Sequence, residues 1–358
     1  MNNWTKGFRT RPAAWLVILI MLAAIGLCSC TGEDNSEKQP PVTANPPDES
    51  PDKNQQKPGP PDYQKLGVNE LGQVMILMYH EIGQPEDEWC RTPENFRRDL
   101  ATLYRKGYRL VSLNDYIDGQ IDIPAGTSPV ILTFDDGSGG QFRYKEDGTL
   151  DPDCAVAILE DFYRQHPDFG LEATFFIYYE HPFRQDEYIQ DKLDYLVQKG
   201  FEIGNHTYTH QNLRTLSRDE AVHQLARHLE RTQSYLPGYQ VRSLALPYGA
   251  YPEPMDHIIS GTEKKLSYYH EAILLVGANP APSPFSKEFN PAALPRVRAS
   301  EMYTDGVGLY DWLKIFEENP DLRYISGGDP HSLVIPSTLK ERVREEAVIG
   351  KKIITYNK

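Results

Sequence analysis

Apolar residues follow two rhythms along this chain. Short runs at 74–79 (VMILMY), 130–134 (VILTF) and 173–179 (ATFFIYY) are nearly unbroken, as expected of strands buried on both faces, and 201–204 (FEIG) reads as a shorter one. Between them, 92–107, 155–165, 186–199 and 217–236 repeat their apolar positions at helical spacing. Thr92 followed by Pro93, with Gly107 beyond the last turn, marks the ends of one helix. Ser217 with Glu220 three residues later forms a capping box at the start of the longest. Further strands are expected at 243–246, 272–276, 296–298 and 324–325. Strands of this kind alternating with helices imply a parallel sheet covered on both faces. About seven such units fit a (β/α) barrel better than an open sheet.

The N-terminus departs from both rhythms. Lys6, Arg9 and Arg11 precede an uncharged apolar run, 13–28, which is short for a membrane span and suits the h-region of a signal peptide. Residues 31–62 hold eight prolines, many acids and amides, and no aromatic residue, so they cannot bury enough surface to offset their ordering entropy. The expected organisation is an export signal over 1–30, an extended tether over 31–62 and one domain over 63–358. The net charge of −14 argues against a nucleic-acid partner, since neutralising phosphates needs a basic face. Cys90 and Cys154 are the two cysteines within the domain, and a disulfide between them is left open.

In a barrel, chemistry gathers where strands end in ionisable residues. Three strands do so: 130–134 runs into Asp135-Asp136, 201–204 into Asn205-His206 and on to His210, and 74–79 into His80-Glu81. One carboxylate and two imidazoles make a common set of ligands for a divalent metal that keeps positions open. The i, i+4 spacing of His206 and His210 would put both rings on one side of a helical turn. The second aspartate could then act as a general base toward water.

The same residues carry a resemblance. Thr133-Phe134-Asp135-Asp136-Gly137, His206-Thr207-Tyr208-Thr209-His210 and Leu246-Pro247-Tyr248-Gly249 are similar, in order and spacing, to three motifs of the polysaccharide deacetylases, the NodB-homology superfamily or carbohydrate esterase family 4. Met78-Tyr79-His80-Glu81 further resembles the branch that deacetylates poly-N-acetylglucosamine. The resemblance implies a deformed (β/α) barrel of about seven parallel strands and a divalent metal, usually zinc, on Asp136, His206 and His210. It implies Asp135 as catalytic base and the Tyr248 backbone N–H as donor to the oxyanion. Leu27-Cys28-Ser29-Cys30 resembles a bacterial lipobox, which would make Cys30 a lipidated N-terminus and the protein a membrane-anchored, extracytoplasmic lipoprotein.

Two positions depart from the family pattern. An arginine that often opens the third motif is replaced in Leu244-Ala245-Leu246-Pro247, with Ala245 where it would fall, and Arg296 is the candidate to take over orientation of the base. The family's late Leu-Xaa-His, source of the general acid, is not evident; His331 and His80 are the candidates. Asp311-Trp312 is read as packing, and His166, His181, His223, His228, His257 and His270 as surface or structural histidines. The polar, Gly-containing stretch 138–153 is expected to be an extended loop at the active face. The leading expectation is a monomeric metal-dependent N-deacetylase of a cell-surface or extracellular polysaccharide. A binding lipoprotein without activity on the same barrel is the alternative, and a glycosidase with paired carboxylates ranks last because Asp135 and Asp136 are adjacent.

Overall fold

A computed structural model describes Gly59 and residues 61–358. The expected signal with Cys30, and nearly all of the 31–62 tether, lie outside the described residues. Eight strands form the principal sheet: β1 (Met75–Tyr79), β2 (Tyr108–Leu110), β3 (Ser128–Phe134), β4 (Thr174–Ile177), β5 (Glu202–Asn205), β6 (Ser243–Ala245), β7 (Ala272–Leu274) and β8 (Val297–Arg298). Seven of them run in the order β7-β6-β5-β4-β3-β1-β8, and every pairing is parallel. β2 joins the first half of β3, opposite Ser128 to Val130, while β4 joins the second half at Thr133 and Phe134.

The sheet curls far enough for one segment to touch both edges. Leu294 exchanges hydrogen bonds with the β7 edge, donating to Ile273 O (2.8 Å) and accepting from Leu275 N (2.9 Å). Three residues later, Val297 and Arg298 pair with Leu77 and Met78 of β1. The outcome is the expected deformed barrel, closed by residues 294–298.

Alternation along the strands divides the core into two layers. Met75, Leu77 and Tyr79 of β1 pack outward with Phe96, Leu100 and Leu103 of helix α1 (Pro93–Arg105). Ile76, Ile131 of β3, Phe176 of β4, Ala245 of β6 and Leu274 of β7 fill the barrel. Thr92 caps α1 through Asn95 N, and Ser217 with Glu220 caps the helix Arg218–Tyr235, as their patterns predict. That helix, α4, follows α2 (Ala155–Gln165) and α3 (Ile189–Gln198); α5 (Leu309–Glu318) comes last.

Two expectations need correction. Residues 324–325 do not form a barrel strand; Ile325 makes an isolated bridge with Asn69 under the barrel, beside one between Arg323 and Gln73. Two apolar residues, Tyr324 and Ile325, carry no period, and burial beneath the sheet satisfies them equally well. The stretch 186–199 opens with a separate turn, Asp186–Tyr188, before α3.

Candidate metal centre and active site

The inward parity of three strands delivers the chemistry. In β3, Ile131 and Thr133 face into the barrel, so Asp135 is the next inward position. By the same count His80 continues Ile76 and Met78, and His206 follows Gly204. Gly204 carries no side chain for a physical reason: a Cβ there would sit 2.3 Å from the Phe176 ring.

Asp136 has the opposite parity and should point away. Its backbone adopts φ +75°, a left-handed conformation that rotates the carboxylate back to the same end of the barrel. Asp136 Oδ1 lies 3.3 Å from His206 Nε2 and 3.1 Å from His210 Nε2. His206 and His210 converge without the helical turn expected from their spacing. Thr207 (φ +62°) and His210 (φ +54°) are both left-handed, and the bend is held by Thr207 N donating to Asn205 Oδ1 and by Gln224 Oε1 of α4, which accepts from Tyr208 N and Thr209 N. Tyr248 is left-handed too (φ +61°). Left-handed residues other than glycine cost energy and collect at sites that require them.

The three ligand atoms fit a cation rather than one another. They lie within 4.8 Å of each other, and Asp136 Oδ1 is buried without a protein hydrogen-bond donor. His206 Nδ1 lies 2.9 Å from Ala245 O, a carbonyl that can only accept, so the Nδ1–H is spent there and Nε2 turns its lone pair to the centre. Such a set, two imidazoles and one carboxylate with further positions open, suits a divalent metal.

Asp135 stands beside this centre, fully buried. Burial would raise its pKa, yet the Arg296 guanidinium wins and keeps the carboxyl below its ordinary value. Arg296 donates from Nη1 to Oδ1 (2.7 Å) and from Nη2 to Oδ2 (2.6 Å), and is itself fixed by Nε to Leu275 O (2.9 Å) and Nη1 to Thr133 Oγ1 (3.1 Å). It reaches the carboxylate from the segment that closes the barrel, its guanidinium 5.9 Å from the centre of the Phe176 ring. Burial lowers the His80 pKa, with the charges of Asp135 and Asp136 acting in the opposite sense. Tyr248 is mostly exposed, its ring 4.9 Å from that of His210. As the second residue of the turn Pro247–Gly249, its N–H has no partner within that turn.

Not every candidate reaches the site. His331 is exposed at the opposite end of the barrel, in a segment tied by Ser326 N to Thr127 O, just ahead of β3. The whole of β3, about 20 Å, separates that end from Asp135. Sequence order alone does not say at which end a late histidine falls. Asp311 and Trp312 are structural as expected: Asp311 accepts from Gly308 N at the start of α5, and Trp312 Nε1 donates to Ala278 O. Buried His270 and His228 each bond a backbone carbonyl. Cys90 and Cys154 are free thiols.

Gln141 was invisible in the sequence. Fully buried, its Nε2 donates to His80 O (2.8 Å) and to Asp135 O, tying together the ends of β1 and β3. It brings the 138–153 loop onto the active face, where Ser138 Oγ also bonds His80 O.

Residues 122–265 match the family profile described as polysaccharide deacetylase. The chain is 31% identical over 126 residues to a peptidoglycan-N-acetylglucosamine deacetylase of Bacillus cereus, a match covering 35% of this chain and 38% of that protein. It therefore spans about two fifths of the relative's length. Among solved structures, the deacetylase PplD of Streptococcus pyogenes, in complex with acetate, superposes with a TM-score of 0.51 at 17% identity, covering 68% of this chain and 97% of that one. A polysaccharide deacetylase of Bacillus cereus gives 0.50 at 19%, covering 68% of each. At such identities the likeness speaks for the fold. The profile match, the parallel barrel and the ordered Asp-Asp and His-His pairs agree: over residues 122–265 the chain is similar to the polysaccharide deacetylases.

Proposed function

We propose that this protein is a metal-dependent N-deacetylase that releases acetate from N-acetylated amino sugars of a cell-surface or extracellular polysaccharide. In this reading Cys30 carries a lipid that anchors it outside the cytoplasm, residues 31–62 are the tether, and 63–358 form the catalytic domain. The observation that carries the proposal is the convergence of Asp136, His206 and His210 beside a buried aspartate clamped by an arginine.

Asp136, His206 and His210 would hold the metal, zinc in our reading, which when bound polarises the acetamide carbonyl and makes water more acidic. Asp135 takes the proton of the attacking water. Arg296 occupies one lone-pair direction on each carboxylate oxygen, which leaves others for that proton and prevents the carboxylate from turning. The Tyr248 N–H donates to the carbonyl oxygen as negative charge gathers on it. His80, buried at the end of β1 within reach of the charges of both aspartates, supplies the proton to the departing nitrogen. The C–N bond breaks, leaving acetate and a free amine.

The test is acetate release from peptidoglycan, poly-N-acetylglucosamine, chitin oligomers and acetylated xylan, with zinc supplied and with a chelator. Chelator-sensitive release from an amide substrate is expected. Undiminished release under chelation, or none from any amide with zinc bound, refutes the reading.

A further inference from the structure

We propose that Arg184 is a specificity-determining residue: a cation held at the rim of the metal centre for a carboxylate or phosphate on the polymer, so that the preferred substrate is an acidic N-acetylated glycan. This rests on the deacetylase reading.

The turn that presents Arg184 is strained in an unusual way. Phe183 (φ +55°) and Arg184 (φ +54°) are consecutive left-handed residues, and neither is glycine. The surroundings hold them there. Phe183 is fully buried, and its N–H donates to Gly137 O (2.6 Å), directly after Asp136. The buried ammonium of Lys192 donates to Phe142 O (2.8 Å), Gln185 Oε1 (2.8 Å) and Phe183 O (3.4 Å). The turn is thereby anchored to the backbone at Gly137, the residue directly after a proposed metal ligand.

Arg184 itself is exposed and yet fixed. Nη1 donates to His181 O (2.6 Å) and Nη2 to the Tyr178 hydroxyl (2.8 Å), with the guanidinium 5.2 Å from the Tyr178 ring centre. That ring lies 5.2 Å from the His210 ring, so the cation is no farther from the His210 ring than these two steps together. Two donors are engaged and the other N–H groups remain for a ligand.

The charge is also unspent. Among the described residues no carboxylate lies within ion-pair distance of Arg184, and the acid two positions on, Asp186, faces His181 (3.1 Å). Two other arginines at this end are committed, Arg296 to Asp135 and Arg298 to Glu88. A chain of net charge −14 repels an anionic polymer, so a cation kept unpaired beside the reacting position reverses that field where it matters.

The test measures binding by calorimetry and acetate release in parallel, for the wild type, Arg184→Gln and Arg184→Lys. The probes are three tetrasaccharides: one alternating N-acetylglucosamine with N-acetylmuramic acid, one of N-acetylglucosamine bearing a phosphate, and neutral chitotetraose. The wild type should prefer an anionic probe, and the carboxylate and phosphate arms identify the group recognised. Arg184→Gln should weaken that probe about three- to tenfold, leave chitotetraose unchanged and flatten the salt dependence, while Arg184→Lys restores part of the preference. Equal binding of neutral and anionic probes by the wild type, or equal weakening of both in Arg184→Gln, overturns the assignment. Discrimination in binding without acetate release would instead sink the hydrolase reading and leave the role of Arg184 standing.

Discussion

Arg296 and Asp135 meet through both nitrogens and both oxygens, at 2.7 and 2.6 Å, and both side chains are buried. The pair joins the segment that closes the barrel to the end of its central strand. Ala245 of β6, where the family pattern would place an arginine, leaves this contact to Arg296.

The first prediction follows from that geometry. Arg296→Ala leaves a buried carboxylate without its counter-charge, which should destabilise the fold by about 3–5 kcal/mol. Arg296→Lys keeps a charge but cannot form the fork, so it should fold with a smaller loss and still show a marked loss of turnover. Denaturant unfolding and acetate release on both variants check this. Full activity in Arg296→Lys would show that the fork is dispensable.

Much of this was legible in the sequence because the governing signals are local. Apolar runs announced the strands, and the ionisable residues that follow β1, β3 and β5 announced the site. Alanine at position 245 pointed to a replacement arginine. What could not be read depends on backbone geometry or on distant partners. The left-handed turns at Asp136, Thr207 and His210 involve no glycine, so the histidine pair suggested a helix that does not exist. β2 is three residues long with Arg109 at its centre, too short for a period. Gln141, Gln224 and Asn205 act through main-chain groups of other segments, and single amides leave no pattern. His331 failed because nothing in its neighbours fixes which end of the barrel it joins.

Gly140 supplies a second prediction. A Cβ on it would lie 1.7 Å from Ile82 O and 2.1 Å from Glu81 Oε1, and the first of these is main chain that cannot swing aside. Gly140→Ala should push the 138–153 loop off β1 and withdraw Gln141 from the His80 and Asp135 carbonyls. A loss of about 1–3 kcal/mol in stability and at least a tenfold loss of acetate release are expected. Unchanged activity would mean that the loop does not brace the site.

Glu70 should make stability depend on pH. Its buried carboxylate accepts from Gly327 N (2.8 Å) and Val334 N (2.6 Å), linking the residues before β1 to the strand Ser332–Pro336 and the turn that precedes it. Burial dominates and raises its pKa from 4.5 to about 7, against the two N–H groups and the Lys351 charge, with Asp329 adding to the rise. The folded state thus binds the proton more tightly than the unfolded chain. That contribution is complete below pH 4.5 and is lost as pH rises toward 7, on the order of 3 kcal/mol in all. Glu172, also raised to about 7 by burial, slopes the same way, so the variant must isolate Glu70. Unfolding free energy measured from pH 4.5 to 8 should fall less steeply in Glu70→Gln than in the wild type. Parallel curves would refute the assignment.

The last prediction separates the two adjacent aspartates. Asp136 Oδ1 faces both imidazoles, so Asp136→Asn replaces an anionic ligand by a neutral amide and should cost metal affinity and turnover together. Asp135 belongs to Arg296, and Asp135→Asn should retain stoichiometric metal while losing about 10²–10⁴-fold in rate, the usual cost of removing a general base. Because the buried guanidinium then loses its counter-charge, Asp135→Asn should also be the less stable of the two variants. Metal content, unfolding and acetate release on the same preparations distinguish these effects. Loss of metal from Asp135→Asn with retention in Asp136→Asn would exchange the two roles. Metal retained and rate unchanged in Asp135→Asn would remove the base from the mechanism and leave Arg296–Asp135 as a structural clamp alone.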